Sequence, residues 1–203
     1  MPRFGLLVTT TLAAAVLAGC GGATAPKVTL APAPKQKFEG AELTPPQRAQ
    51  PIALHDAWGR PVTLASQRGR YVLVTFLYAH CPDVCPLIAQ NLNAALEQLG
   101  ARRDRVRVLA VSVDPKGDTP AAVRRFIADR HLLPQFRYLI GTQAQLHPIW
   151  AAWHVLAVRA SPGVVNHVTY TALIDPAGRR RLLYDSQVKA AQVLHDLRVL
   201  MSA

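Results

Sequence analysis

The chain has 203 residues, is half apolar by composition, and carries 23 lysines and arginines against 12 acidic residues, a formal net charge of +11 at pH 7. That apolar fraction excludes a disordered chain, and the length suits one well-buried domain with tails. The basic residues are dispersed or paired, not interleaved with aromatics, which argues against a nucleic-acid partner; anionic lipid or an acidic patch on a partner is the use this charge suggests.

The first twenty residues, MPRFGLLVTTTLAAAVLAGC, combine a short basic start at Arg3, an apolar stretch and the small-residue approach Leu17-Ala18-Gly19. The segment resembles a bacterial lipoprotein signal, in which the cysteine closing the LAGC box becomes lipidated and starts the mature chain. The resemblance implies a signal peptide over 1–19 and a lipid on Cys20. An ordinary secretory signal or an uncleaved anchor is the alternative, but the apolar stretch is shorter than the roughly 20 residues a spanning helix needs. Residues 20–45 are rich in Pro, Ala, Gly and Lys with no sustained apolar period, and read as a tether. The folded domain is then 46–203, lipid-anchored on the extracytoplasmic, periplasmic side of a bacterial cell envelope, an address that further excludes nucleic acid.

PIALHDAWGRPVTL reads as two short strands around a turn at Gly59, an opening hairpin. YVLVTFLY, 71–78, is β-branched and aromatic without polar alternation, as a central strand buried on both faces requires. After FLYAHCPDVCP, the apolar residues Ile88, Leu92, Ala95, Leu96 and Leu99 recur with a helical period that Gly100 stops. VRVLAVSV is the next strand, and DTPAAVRRFIADRH a second helix with Asp118 or Thr119 as N-cap and Pro120 in its first turn. FRYLIG is a short strand, TQAQLHPIWAAW a helix disturbed by Pro148, and HVLAVRA a strand-like connection. HVTYTALID and RRLLYD bracket the turn PAGR as a hairpin, and an amphipathic helix over 188–201 closes the chain. This is the element order of a thioredoxin-like α/β domain, a central mixed sheet flanked by helices, with an N-terminal hairpin and with its chemistry at the carboxyl ends of the parallel strands.

Cys81 and Cys85 lie at such an end. If Cys20 is acylated they are the only free thiols, and an oxidising compartment permits a disulfide between them. Burial as core residues is disfavoured by Asp83 between them and by Pro82 and Pro86. In a helix their Cβ atoms would stand about 5–6 Å apart, wider than the ~3.5–4.5 Å of a disulfide, whereas two thiolates each about 2.3 Å from a metal span the gap comfortably. Pro86 disfavours helical geometry at Cys85 and points to a helix beginning near Pro86, with Cys85 at its N-terminus, where backbone N–H groups stabilise a thiolate. Disulfide and metal clamp both remain open on this reading. Two thiolates under-coordinate most metals, and of seven histidines His167, at the start of the returning strand, and His80, beside Cys81, are the candidates for a further ligand. His147 and His154, seven apart, suit packing or surface roles, and His55, His131 and His195 carry no signal.

FLYAHCPDVCP, VSVDPKGDTP and VNHVTYTALIDPAG, in that order and separation, resemble the Sco/SenC family of thioredoxin-fold copper-delivery proteins that serve cytochrome c oxidase assembly. The likeness runs from about Phe38 to the C-terminus. It implies copper bound by the two cysteines of a C-x-x-x-C motif and a downstream histidine, which match Cys81, Cys85 and His167. It further implies delivery to the copper-A centre of cytochrome c oxidase subunit II, with another periplasmic copper chaperone or a thiol reductase as further partners. Soft thiolates with one imidazole suit three-coordinate Cu(I), with Cu(II) as a second state. A thiol-disulfide reductase acting through Cys81 and Cys85 on the partner's cysteines, or a redox sensor, is the alternative. Asn166 stands where the family usually has Asp, and FLYAH where FGYTH is commoner; neither change removes a ligand. Asp83 and Asp114 lie in matching motifs, as turn-stabilising and strand-end residues or as docking groups.

Overall fold

The computed structural model describes residues 37–161 and 164–202; the signal segment, Cys20 and the tether up to residue 36 lie outside the described residues, as do Pro162 and Gly163. Strand β1 (Ala41–Arg48) comes first, then the hairpin β2 (Ala53–Asp56) and β3 (Pro61–Thr63), and the central strand β4 (Tyr71–Leu77). Helix α1 (Val84–Gln98), β5 (Val106–Ser112), α2 (Pro120–Asp129), β6 (Phe136–Ile140) and α3 (Gln143–Ala152) follow. The short strands β7 (Ala157–Ser161) and β8 (Val164–His167), the hairpin β9 (Thr171–Ile174) and β10 (Arg179–Tyr184), and helix α4 (Ala190–Met201) complete the order.

Eight strands form one mixed sheet in the order β1-β10-β9-β4-β5-β6-β2-β3, while β7 and β8 pair with each other in a separate ribbon. Strands β4, β5 and β6 are parallel, and β9, β10, β1, β2 and β3 add antiparallel wings. Every residue of β4 is buried, because neighbours β5 and β9 satisfy its backbone while α4 packs on one of its faces and the end of α3 on the other. The in-register pairs Tyr71↔Val106, Thr75↔Ala110 and Ala110↔Tyr138 put Tyr71 and Tyr138 on one face. There the Tyr71 hydroxyl donates to the Leu200 carbonyl of α4, and Phe126 of α2 meets Tyr138 edge-on. Helix α1 packs beside α4. The opposite face, which carries Phe76 and Val111, receives α3 through the Phe76–Trp153 contact at its end.

The segment read as one strand from His167 is split, β8 ending at His167 and β9 starting at Thr171, and two further local differences from the sequence reading have clear causes. Residues 41–45, assigned to the tether, lie in β1, and the chain is compact from about residue 36 onward. A proline pair hides the strand: Pro45 and Pro46 sit in the irregularity between Glu42 and Gln47 on the sheet edge, where a missing N–H costs no ladder bond. The segment before it is held by Asp196 of α4, whose buried carboxylate accepts from the N–H groups of Glu39 and Gly40 and from the Tyr184 hydroxyl. Secondly, α3 runs through Pro148 without a break; its start is fixed by a reciprocal cap between Thr142 and Gln145, and Leu146, Ile149 and Trp150 anchor it on the sheet. Of the two cap candidates for α2, Thr119 is the one used, its Oγ1 accepting from the Ala122 N–H.

Candidate metal centre

Strand β4 delivers the chain to the site. Beyond Leu77 the buried Tyr78 turns it, with the Cys81 N–H donating to the Tyr78 carbonyl at 3.2 Å. Helix α1 then starts at Val84, two residues before Pro86, so Cys85 occupies its first turn with Ile88, Ala89 and Leu92 on the buried side below it. Cys85 is fully buried and Cys81 only 8% exposed, and both are free thiols. Asp83 precedes the helix, is exposed, and its side chain caps no N–H group.

The two thiols act on one another. A hydrogen bond from Cys85 holds the Cys81 thiol well below its ordinary range; burial opposes this, and the N–H groups of Asp83 and Cys85 with the Tyr78 hydroxyl assist it. The same bond, followed by burial, pushes Cys85 upward. The pair therefore releases its first proton readily, from Cys81, and holds the second on Cys85.

His167 ends β8, opposite Ala157 of β7. Its imidazole stands edge-on to Tyr78, with ring centroids 5.8 Å apart, and its Nδ1 lies 3.0 Å from the Thr169 Oγ1. Burial lowers its pKa, with a weaker opposing effect from the Val168 carbonyl, so the ring is neutral near pH 7, as a metal ligand must be. Cys81, Asn166, His167 and Tyr78 line one open pocket of about 350 Å³; Cys85, fully buried, is not in its lining. Thus the structure brings the thiols together and sets His167 on the same pocket wall as Cys81. Among the described residues no three His, Cys, Asp or Glu side chains converge at metal-binding distance. The strands β7 and β8 form no ladder with the main sheet, so the ribbon bearing His167 is held to the site by side-chain contacts rather than by backbone pairing.

His80, the competing ligand by sequence proximity, is exposed and does not line the pocket. His55, His131, His147, His154 and His195 are exposed as well. Two supporting residues escape a reading based on motifs. Tyr78 joins the two halves of the site, touching both Cys81 and His167. Asp118, a cap candidate in the sequence, is buried instead: its carboxylate accepts from the Ala79 N–H at 2.7 Å, the Ser112 hydroxyl at 2.6 Å and the Tyr138 hydroxyl at 3.0 Å, pinning the turn that carries Cys81. Burial, only partly offset by these donors, pushes its pKa up to about 6. Asp114, also buried, accepts from the Gly117 N–H and pairs with Arg159 of β7, tying the histidine ribbon to the end of β5.

A dithiol at the carboxyl end of a central strand, with Cys81 of depressed pKa in the turn and Cys85 in the first turn of the helix that follows, in a mixed sheet of this order, defines a thioredoxin-like protein. Residues 41–202 match the family described as SCO1/SenC, and the chain belongs to that family. It is 31% identical to the mitochondrial SCO2 homologue of Bos taurus over 75% of this chain, and it spans 59% of that relative's length. Among solved structures it resembles copper-bound ScoI of Bradyrhizobium japonicum, at 29% identity and a TM-score of 0.67, over 75% of this chain and 99% of that one. It also resembles apo Sco1 of Thermus thermophilus, at 32% identity and a TM-score of 0.70, over 80% and 96% of the two chains.

Proposed function

We propose that this chain is a metallochaperone that takes Cu(I) on the thiolates of Cys81 and Cys85 with His167 as third donor, and passes it to the copper-A centre of cytochrome c oxidase subunit II. The observation that carries the reading is the pair of coupled free thiols, Cys81 of which shares a pocket with a neutral His167. Two soft sulfurs and an imidazole complete a Cu(I) shell, whereas zinc would want a fourth ligand. The copper bound to the Bradyrhizobium relative and the family resemblance support the same cargo. An open pocket suits transfer, since an incoming partner thiolate can replace one donor at a time without the site unfolding. A lipid on Cys20 and the tether after it would hold residues 46–203, or the slightly larger unit seen here, on the extracytoplasmic side of a bacterial membrane. Among the described residues no helix is long and apolar enough to cross one.

The low pKa of Cys81 favours a second use of the same pair, reduction of the partner's cysteines before metal arrives. Anaerobic titration of the reduced protein with Cu(I) against a competing chelator separates the readings. One-to-one binding that is lost in Cys81→Ser and Cys85→Ser and weakened in His167→Ala supports the chaperone; unchanged binding in His167→Ala removes the third donor. A dithiol potential too oxidising to reduce a subunit II disulfide eliminates the reductase.

A further inference from the structure

At the other end of the sheet, where the parallel strands begin, a cleft of about 220 Å³ is lined by Arg60, Arg107 and Arg137 with Asp56 as its one acidic residue. Arg107 is the second residue of β5 and Arg137 the second of β6. The register Leu109↔Arg137 sets both on the sheet face that receives α3, and no residue of α1, α2, α3 or α4 lines the cleft. Buried Asp56 is already occupied, by Arg60 Nε at 2.8 Å and Arg137 Nη1 at 3.3 Å. Arg107 has no carboxylate partner among the described residues; its Nη1 donates to the carbonyls of Val106 and, more distantly, Asp104. Burial, then repulsion from Arg70 and Arg137 against a weaker pull from Asp104, lowers its pKa, and three guanidiniums share the cleft with the single carboxylate of Asp56.

The neighbouring turn between β2 and β3 supplies a second, independent feature. Trp58 at its tip is 50% exposed, with the Arg60 guanidinium 5.1 Å from its ring, and Arg124 of α2 braces the turn through the Ala57 carbonyl. Guanidiniums alone would serve a free oxyanion. An exposed indole beside them suits a surface that is charged outside and apolar just beneath, the interfacial layer of a lipid bilayer. The geometry points to a membrane-docking face in which Arg107, with Arg60 and Arg137, receives the phosphate of an anionic phospholipid while Trp58 enters the interface. The surplus of basic residues over the whole chain acts in the same direction. Because β4 and β5 are parallel and in register, the face lies about 17 Å along the strands from the dithiol end. Docking would therefore aim Cys81 and Cys85 away from the lipid, toward a partner's water-exposed domain. This inference rests on the membrane-side placement proposed above but not on the metal ligands.

The test uses the full chain with vesicles of phosphatidylcholine alone and of phosphatidylcholine mixed with phosphatidylglycerol; a lipid anchor or apolar leader acts on both. Trp150 and Trp153 are buried, so the emission difference between wild type and Trp58→Phe reports Trp58. The expected result is a blue shift of Trp58 with phosphatidylglycerol only, weakened by salt, and an apparent affinity about fivefold lower in Arg107→Gln. Equal shifts on both vesicles, an unchanged affinity in Arg107→Gln, or a response to inorganic phosphate with none to phosphatidylglycerol overturns it. Arg107→Gln keeps Cu(I) binding and circular dichroism unchanged, so failure here leaves the copper reading standing and failure of the copper titration leaves this one standing.

Discussion

Asp118 offers the sharpest test of how the thiol-bearing turn is held. Its carboxylate is 4% exposed and takes three hydrogen bonds, yet burial outweighs them and raises its pKa from the ordinary 3.8 to about 6. That difference corresponds to about 3 kcal/mol. Below pH 3.8 both the folded and the unfolded protein carry the proton, and its contribution to stability is fully present. Between 3.8 and about 6 the folded chain keeps a proton that the unfolded chain has released, so stability falls as pH rises; above about 6 the contribution is gone. Asp118→Asn mimics the protonated form. Its Oδ1 can still accept from Ala79, and the Ser112 and Tyr138 hydroxyls can turn to accept from Nδ2. The stability of Asp118→Asn relative to wild type should therefore increase by about 3 kcal/mol between acid and neutral pH, whereas Asp118→Ala should lose about 1–3 kcal/mol through the orphaned Ala79 N–H alone. Urea unfolding of the reduced protein at a series of pH values measures both. A difference between Asp118→Asn and wild type that does not vary with pH would refute the argument.

Three further outcomes follow from contacts elsewhere. Asp196→Ala removes the acceptor shared by Glu39, Gly40 and Tyr184 and should cost about 3 kcal/mol or more, with hydrogen exchange rising first over β1; unchanged protection there counts against the staple. Gly178→Ala should destabilise by about 1 kcal/mol or more, since φ is +75° in the β9–β10 turn and the Arg68 guanidinium abuts the place a Cβ would take; a thermal melt reads it. In the reduced protein at neutral pH, iodoacetamide should modify Cys81 well before Cys85, because the shared hydrogen bond lowers one thiol pKa and raises the other; equal rates by peptide mapping would contradict that assignment.

The alternation and runs of the sequence determine most of the fold. An uninterrupted YVLVTFL is stable only between other strands and beneath helices, and it is the buried centre of the sheet. Thr119-Pro120 and Thr142 with Gln145 mark helix starts through local hydrogen bonds, which depend only on neighbours in the chain. The spacing of Cys81 and Cys85 likewise places both sulfurs at one strand end, because four residues of turn and helix cannot carry them far apart. Strand β1 was not legible, since its prolines deny it a strand signature and only its partner β10 gives it a ladder.

What the tertiary structure alone decided concerns contacts between distant segments. No local pattern says that Asp118 turns inward to hold Ala79, that Tyr78 meets a histidine from a separate ribbon, or that arginines from β5, β6 and the β2–β3 turn line one cleft. Propensity and periodicity describe a residue's near neighbours, while these meetings depend on how strands are ordered and registered, which is fixed by the packing of the whole core. His167 illustrates the division: the motif marks it as a ligand candidate, and the fold brings it to the pocket of Cys81 on a ribbon that forms no ladder with the main sheet.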